Sequence, residues 1–324
     1  MTMRFRVLTV SVLLVIAGGA ASAHSFKSDR RKNNQQVERT MAVDPRVLVS
    51  VCVVSGNLTV RGWDRNDIRA RTTDRTQIEL TRNDQAKSQA ATEVQVTSNA
   101  GRGTRSHSSC LPSADIELDV PRAASMKLAS SSGDVRVTEV ARIDVSSQSG
   151  SIALDKVHGE ANVNTISGDI SVHDSNGSFK LHTVGGGIDA RNLVSAGTGD
   201  GFAAGTVGGE VTLDHVQMQT VKANTVSGEI NWTGALSRAG RYNFQSISGR
   251  IRLSLPNNSS FRVSASLGEA VKFSSDFNLN YRDNQNLTGV SNRGGFRRID
   301  ATAGSGDSAI TVSLLEGSLQ ISKR

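Results

Sequence analysis

The chain has 324 residues, a formal net charge of +7, 31 glycines, four prolines and only 4% aromatic residues. Few large rings and many glycines are typical of a narrow β-structured core and disfavour a helical bundle. No second long apolar run follows the first residues, so we expect a chain that does not span a membrane.

The first residues have the pattern of an export signal. Arg4 and Arg6 precede an apolar run over residues 7–16, and Ala21-Ser22-Ala23 has the small-residue form of a cleavage site. The run is shorter than the roughly 20 residues of a membrane-spanning helix. We therefore predict a signal peptide over residues 1–23 and an exported protein, either periplasmic or secreted to the cell surface.

A polar segment follows the signal, and residues 24–44 are predicted to form a flexible leader. Between His24 and Cys110 the sequence has 15 Lys/Arg against 9 Asp/Glu, so the basic excess lies in this N-terminal third. We interpret this excess as a solvated segment. An exported chain rarely meets nucleic acid, so anionic wall polymer or lipid head groups are the better charged candidates.

Two cysteines, Cys52 and Cys110, are the only ones in the chain. In an oxidising compartment an even number of cysteines favours a disulfide. Closing this loop of 58 residues would stabilise the fold by roughly 4 kcal/mol in the loop-entropy model. Two free thiols are the alternative.

The first strand pair is predicted near the start of the folded region. Val47, Val49, Val51 and Val53 alternate as in an extended strand, and Ser55-Gly56-Asn57 forms a turn before the next strand. Related turns recur along the chain, beginning with Ser132-Gly133-Asp134-Val135. The predicted turn glycines are Gly56, Gly133, Gly150, Gly168, Gly186, Gly209, Gly228, Gly249 and Gly306.

Each copy of the repeat predicts two short strands. Ala161, Val163 and Thr165 share one face of the strand before Gly168, and Ile170 and Val172 share one face of the strand after it. One period cannot bury its own apolar face, but stacked periods can. We therefore predict an all-β, single-domain parallel β-solenoid (β-helix) of about 18–20-residue repeats over residues 45–324, with insertions at 195–205 and 268–295. A β-sandwich of antiparallel hairpins is the alternative.

The S-G-D-I/V signature, preceded by T-V/I-S, resembles the bacterial putative adhesin family, an exported β-helical domain of unknown function. The segments 55–64 and 299–307 are similar to that family's opening and closing segments, and the resemblance covers about residues 45–315. It implies the fold strongly, and it implies an adhesin-like role only through export and repetition.

The sequence contains no convincing catalytic, cofactor or metal motif. Acidic residues after the turn glycines would stack along one edge of a solenoid, as in polysaccharide-cleaving β-helices, but Ser151, Gly187 and Arg250 interrupt that row. The segment 197–202 is only a weak match to a calcium turn, and no two histidines have metal-ligand spacing. The residues weighed are the acidic Asp134, Asp169, Glu210 and Glu229 and the histidines His107, His158, His173, His182 and His215.

The second insertion and the residues after it combine aromatic and arginine side chains, which suit a sugar or an anionic polymer. An equal alternative is a cap over the open solenoid end. The tentative binding residues are Phe273, Phe277, Tyr281, Arg282, Arg293, Phe296, Arg297 and Arg298.

These observations favour a non-enzymatic, adhesin-like envelope protein. The expected partners are cell-wall polymer, polysaccharide or an envelope protein, with self-association through the solenoid ends and no nucleic acid or cofactor. A β-helical polysaccharide lyase or hydrolase and a periplasmic scaffold or sensor of envelope stress are the alternatives.

Overall fold

A computed structural model describes residues 37–72, 77–84, 89–98, 110–282, 291–293 and 296–324. The predicted signal peptide, most of the predicted leader and His107 lie outside these residues. No helix long and apolar enough to cross a membrane occurs in the described ranges.

The described chain is built from β-strands. In chain order they are β1 (Val37–Ser55), β2 (Leu58–Trp63), β3 (Asp67–Thr72), β4 (Ile78–Arg82), β5 (Ala91–Ser98), β6 (Ile116–Pro121), β7 (Ser125–Ser132), β8 (Val135–Thr138), β9 (Arg142–Ser149), β10 (Ile152–Asp155), β11 (His158–Ser167), β12 (Ile170–His173), β13 (Asn176–His182), β14 (Ile188–Val194), β15 (Phe202–Gly205), β16 (Val211–Gln217), β17 (Thr220–Ser227), β18 (Ile230–Thr233), β19 (Arg241–Leu255), β20 (Phe261–Gly268), β21 (Lys272–Ser275), β22 (Asn280–Tyr281), β23 (Ser291–Arg293), β24 (Phe296–Ala303) and β25 (Ser308–Lys323).

Each rung of the structure contributes one strand to each of two sheets, and neighbouring rungs pair in parallel. In spatial order the front sheet is β5, residues 48–55 of β1, β7, β9, β11, β13, β15, β17, residues 241–248 of β19, residues 309–316 of β25, and β20. The back sheet is β6, β2, β8, β10, β12, β14, β16, β18, residues 251–255 of β19, residues 319–323 of β25, and β21. Parallel stacking confirms the predicted solenoid and excludes the sandwich, whose hairpins would be antiparallel.

The predicted alternation sets the core. Phe179 and Leu181 of β13 are buried, as are their partners Phe202 and Ala204 of β15, and one continuous hydrophobic cluster runs through the rungs. Thr183 closes this face beside the turn, where its buried hydroxyl donates to the Gly168 carbonyl of the previous rung at 3.0 Å. Thr206 of the next rung donates in the same way to the Gly186 carbonyl at 2.8 Å, so in these rungs the small hydroxyl residue satisfies a turn carbonyl.

The turn glycines form one column. A Cβ atom on Gly186 would lie 2.0 Å from the carbonyl oxygen of Gly168, and one on Gly209 would lie 1.9 Å from that of Gly186. The backbone of each turn thus sits directly on the turn of the preceding rung, and only glycine fits there.

The prediction for Gly306 is wrong in one respect. Gly306 lies in the connection between β24 and β25, whereas Gly317 stacks on Gly249 and completes the column. The sequence around Gly317 lacks the S-G-D signature, since Leu315 and Glu316 precede it. The signature at 305–307 instead serves a connection out of β24, which runs antiparallel to β20.

Both ends of the solenoid depart from chain order. The first strand, β1, lies between β5 and β7, and the last strand, β25, lies between β19 and β20. The predicted leader is also shorter than expected, because residues 37–42 already pair with β3. Each terminal strand is therefore held by neighbours on both sides.

The insertion boundaries need correction as well. β15, at the end of the predicted insertion 195–205, is a core strand of the front sheet, and Phe202 is 1% exposed. β21, inside the predicted insertion 268–295, pairs with β25 and forms the outermost strand of the back sheet. Strands of four residues were too short for the sequence pattern to separate from loops.

Candidate functional surface

The acidic residues after the turn glycines hold adjacent rungs together. Asp134 accepts a hydrogen bond from the Ser151 amide at 2.9 Å, and Asp169 accepts one from the Gly187 amide at 2.8 Å. Each carboxylate is therefore occupied by the backbone of the next turn. These contacts give both carboxylates a structural role between rungs.

Two further acidic residues of this row bind side chains of the back sheet. Glu210 accepts from the Thr212 hydroxyl at 3.0 Å, and Glu229 forms ion pairs with Arg250 at 2.9 Å and Arg252 at 3.0 Å. Across the described ranges no group of three or more His, Cys, Asp or Glu side chains is placed to hold a metal ion.

Asp200, in the weak calcium-like segment, closes its own loop. Its Oδ2 atom accepts the backbone amides of Ala196 and Gly197, both at 2.8 Å. The carboxylate thus replaces backbone partners that a loop of this shape lacks, as turn aspartates commonly do.

The described histidines lie apart with separate partners. His173 lies 3.2 Å from Asp189, His158 is 3.0 Å from Asn176, and His215 contacts Asp214 at 2.8 Å. His182 lies over Gly205 of the next rung: a Cβ at Gly205 would approach its Nδ1 atom to 3.1 Å.

The tentative binding residues divide into a buried and an exposed group. Phe277 is 7% exposed and packs edge-to-face against Phe261, with ring centroids 5.2 Å apart. Phe273 packs against the same core. The Arg297 guanidinium donates to the Val271 carbonyl at 2.7 Å. These three side chains anchor the end of the solenoid.

The exposed group includes Tyr281 and Phe296. Tyr281 pairs with Ala301 near the end of β24, whereas Phe296, at the start of β24, pairs with Gly268 of β20. Arg282 and Arg298 are also exposed, and Arg298 pairs with Asp300 at 3.0 Å. The Arg293 side chain lies outside the described residues. The predicted residues therefore divide between anchors of the core and exposed positions, and β24 covers the edge of β20.

An exposed row of aliphatic side chains, missed by the sequence reasoning, borders the turn-glycine column of the front sheet. The row occupies one position in each of six consecutive rungs. Backbone amides of Gly185, Val207 and Val226 donate to carbonyls of the preceding rung and so align successive members of the row. Strand pairing aligns the last members, since residues 246–248 pair with residues 314–316. We call this row the aliphatic ladder: Ile166 (57% exposed), Val184 (42%), Val207 (42%), Val226 (40%), Ile247 (50%) and Leu315 (44%).

A second row lies two residues before the ladder and points to the same side of the front sheet. It contains amide, imidazole, hydroxyl or glycine groups and carries no carboxylate, lysine or arginine. We call it the polar column: Asn164, His182, Gly205, Asn224, Gln245 and Ser313. Together the ladder and the column form an uncharged strip about 24 Å long, since rungs are about 4.8 Å apart.

The back sheet is chemically different. Its outer surface carries ion pairs such as Arg69–Asp119 at 2.8 Å and Arg191–Asp189 at 3.0 Å. The hydrogen bond to Asp119 raises the pKa of Arg69, and that to Asp189 raises the pKa of Arg191. The exposed aliphatic row therefore lies on the front sheet, at the margin beside the turn-glycine column.

An open cleft of about 470 Å³ lies near the C-terminal rungs, lined in part by Leu236, Arg238, Asn258 and Asp307. The Ser260 hydroxyl in this cleft already accepts a hydrogen bond from the Gly306 amide at 2.9 Å. The cleft therefore offers fewer unengaged groups than the strip does.

Parallel rungs, a stacked turn column and antiparallel end strands define a repeat protein of the β-solenoid class. The chain belongs to the Toastrack DUF4097 family, whose model matches residues 48–196 and 204–318. The unmatched residues between these ranges, 197–203, cover most of the loop before β15 and the first two residues of that strand. No curated protein matches the sequence.

Three solved structures are similar over most of the chain. A putative cell adhesion protein from Clostridium sporogenes has 10% identity and a TM-score of 0.27, covering 90% of this chain and 100% of that one. A putative adhesin from Bacteroides fragilis has 13% identity and a TM-score of 0.42, covering 89% and 97%. A putative lipid binding protein from Parabacteroides distasonis has 14% identity and a TM-score of 0.46, covering 89% and 97%. Similarities of this size assign no ligand to this chain.

Proposed function

We propose that this protein is a non-enzymatic, exported envelope or surface protein that binds a cell-wall polymer, a polysaccharide or an envelope protein along the aliphatic ladder. The observation that carries the proposal is the exposure of an aliphatic side chain at the same position of six consecutive rungs. About half of each side chain is exposed, which amounts to roughly 500 Å² of apolar surface, the size of patches that are often functional.

A binding role without chemistry is supported by the state of the acidic residues. Asp134, Asp169 and Glu229 each make a contact between rungs, which favours a structural role over a role as general acid or base. Export is supported by the signal-like N-terminus and by a disulfide between Cys52 and Cys110, because such bonds persist in oxidising compartments.

The test is co-sedimentation of the chain, expressed from its complete sequence, with cell envelopes. We expect binding that is lost in the double variant Val207→Asn/Val226→Asn and retained in Val194→Asn, a matched control. Val194 is a valine of similar exposure (41%) outside the ladder. Equal binding by both variants would reject the ladder as the binding surface. Release of new sugar ends into the supernatant would reject the non-enzymatic role.

A further inference from the structure

The uncharged strip selects among the partner classes of the proposed function, on which this inference rests. Its length is set by six rungs, and its width by two side-chain positions of the front sheet. The strip is thus about 24 Å long and two side chains wide. This narrow, straight shape suits a thin, extended ligand.

The chemistry of the strip specifies a ligand that is both apolar and rich in hydrogen-bonding groups. The side-chain amides of Asn164, Asn224 and Gln245 make no hydrogen bond to another described residue, so they are available to a ligand. Each amide offers two donors and one acceptor, which suits hydroxyl or acetamido groups. The neighbouring ladder residues Ile166, Val226 and Ile247 offer an apolar contact in the same rungs.

The absence of charged side chains from the strip narrows the class of ligand further. Neither row of the strip contains a charged side chain over six rungs, although the back sheet carries ion pairs such as Arg191–Asp189 and Arg252–Glu229. An anionic polymer or an anionic lipid surface would gain most of its affinity from Lys and Arg contacts. A neutral ligand does not depend on such contacts, so an uncharged strip does not weaken its binding.

We propose that the strip binds an extended, neutral, β-linked polysaccharide that lies along the solenoid axis, with about one sugar unit per rung. A sugar ring in such a chain has an apolar C–H face and a rim of hydroxyl groups. The rung spacing of about 4.8 Å is close to the length of one unit. The C–H face contacts the ladder while the rim meets the polar column.

An extended peptide fits this strip less well. Side chains on one side of a strand repeat at about 6.6 Å, out of step with the rungs, and backbone amides are recognised by sheet edges and not by sheet faces. A peptide would therefore leave its backbone groups unpaired above the ladder.

The experiment measures binding of cello- and chito-oligosaccharides of two to six units by calorimetry, using the chain expressed from its complete sequence. We expect affinity to rise with each added unit up to six. We expect Val207→Asn/Val226→Asn and Asn224→Ala/Gln245→Ala each to weaken hexasaccharide binding by at least about tenfold, which corresponds to about 1.4 kcal/mol. Val194→Asn is the control and should bind as the unmodified chain does.

Maltohexaose, which is α-linked and curved, and polygalacturonate, which is anionic, should bind at least about tenfold more weakly. Envelope binding that depends on the ladder, without binding of either hexasaccharide, would overturn this inference and leave the proposed function standing. Equal affinity for two and six units, or insensitivity to both double variants, would also overturn it. Loss of ladder-dependent envelope binding would overturn the proposed function itself.

Discussion

The Oδ1 atom of Asp134 accepts a hydrogen bond of 2.9 Å from the backbone amide of Ser151, one rung further along the solenoid. The same relationship recurs between Asp169 and Gly187 at 2.8 Å. A side chain that follows the turn glycine thus pairs a backbone amide at the margin between the two sheets. This role explains why an acidic or amide residue recurs there without forming a catalytic group.

We expect Asp134→Ala to lower the free energy of unfolding by about 1 kcal/mol, because it removes the acceptor for the Ser151 amide. Asp134→Asn keeps a carbonyl acceptor and should retain most of the stability. Denaturant unfolding followed by circular dichroism would measure both. Asp155→Ala, at a partly exposed acidic residue of the next rung, is the control. Equal stability of Asp134→Ala and the unmodified chain would contradict the structural role.

Adjacent glycines in one turn should respond differently to the same substitution. A Cβ on Gly209 would lie 1.9 Å from the Gly186 carbonyl oxygen, whereas one on Gly208 would lie 3.9 Å from its nearest neighbour, the Val184 carbonyl oxygen. We expect Gly209→Ala to cost at least about 3 kcal/mol because two rungs must separate. Gly208→Ala should stay within about 0.5 kcal/mol. Thermal unfolding of both variants measures the difference, and similar losses would contradict the stacked-turn geometry.

The sequence predicted the repeated rung well because its signals are local. Alternation and a turn glycine lie within one period, so Ile170 and Val172 could be assigned to the core from neighbouring residues alone. The position of β25 between β19 and β20 could not be predicted, because Tyr242 pairs with Ile310 across a long sequence separation. The same limitation placed Gly306, and not Gly317, in the turn column.

The aliphatic ladder was missed for a related reason. Alternation already placed Val184 and Val226 on the outer side of their strands, where a single exposed valine is ordinary. Only the register of six rungs shows that the exposed positions coincide. The sequence signal that indicates the ladder is an aliphatic residue that recurs immediately before the S-G or G-G pair.

The second turn of each rung places residues other than glycine in the left-handed region of the backbone. Lys156 has a φ of 52° and Asn192 a φ of 54°, both in the left-handed region. Asparagine tolerates this region better than lysine does. We therefore expect Lys156→Gly to raise the free energy of unfolding by about 1 kcal/mol and Asn192→Gly to change it less. Denaturant midpoints measure both, and destabilisation by Lys156→Gly would contradict the assigned backbone.

The disulfide gives a test of both stability and export. It joins Cys52 to Cys110, which are 58 positions apart in sequence. Its removal in Cys52→Ser/Cys110→Ser should lower the free energy of unfolding by up to about 4 kcal/mol. The unmodified chain should lose a similar amount on reduction, while the variant should not respond to reductant. Thiol labelling in intact cells should find both cysteines blocked, and free thiols there would contradict an oxidising location.

Tyr242 links the core of the C-terminal rungs to alkaline stability. Its ring packs edge-to-face against Trp232 at 5.1 Å, and its hydroxyl accepts from the Ser237 amide at 2.6 Å and lies 3.3 Å from the Met218 carbonyl. Burial raises the pKa of the phenol above 10.0, although the Ser237 contact acts in the opposite direction. The neutral form is therefore favoured in the folded protein.

Because the folded pKa of Tyr242 exceeds the unfolded pKa, its contribution to stability is complete below about pH 10 and is lost as the pH rises through the folded value. The only other tyrosine is Tyr281, so Tyr281→Phe leaves a single phenol to follow. In that variant we expect phenolate absorbance to appear above pH 10 together with loss of the β-sheet circular dichroism signal. Adding Tyr242→Phe should remove this part of the pH dependence. Ionisation below pH 10 in an intact fold would contradict the buried, hydrogen-bonded position of the hydroxyl.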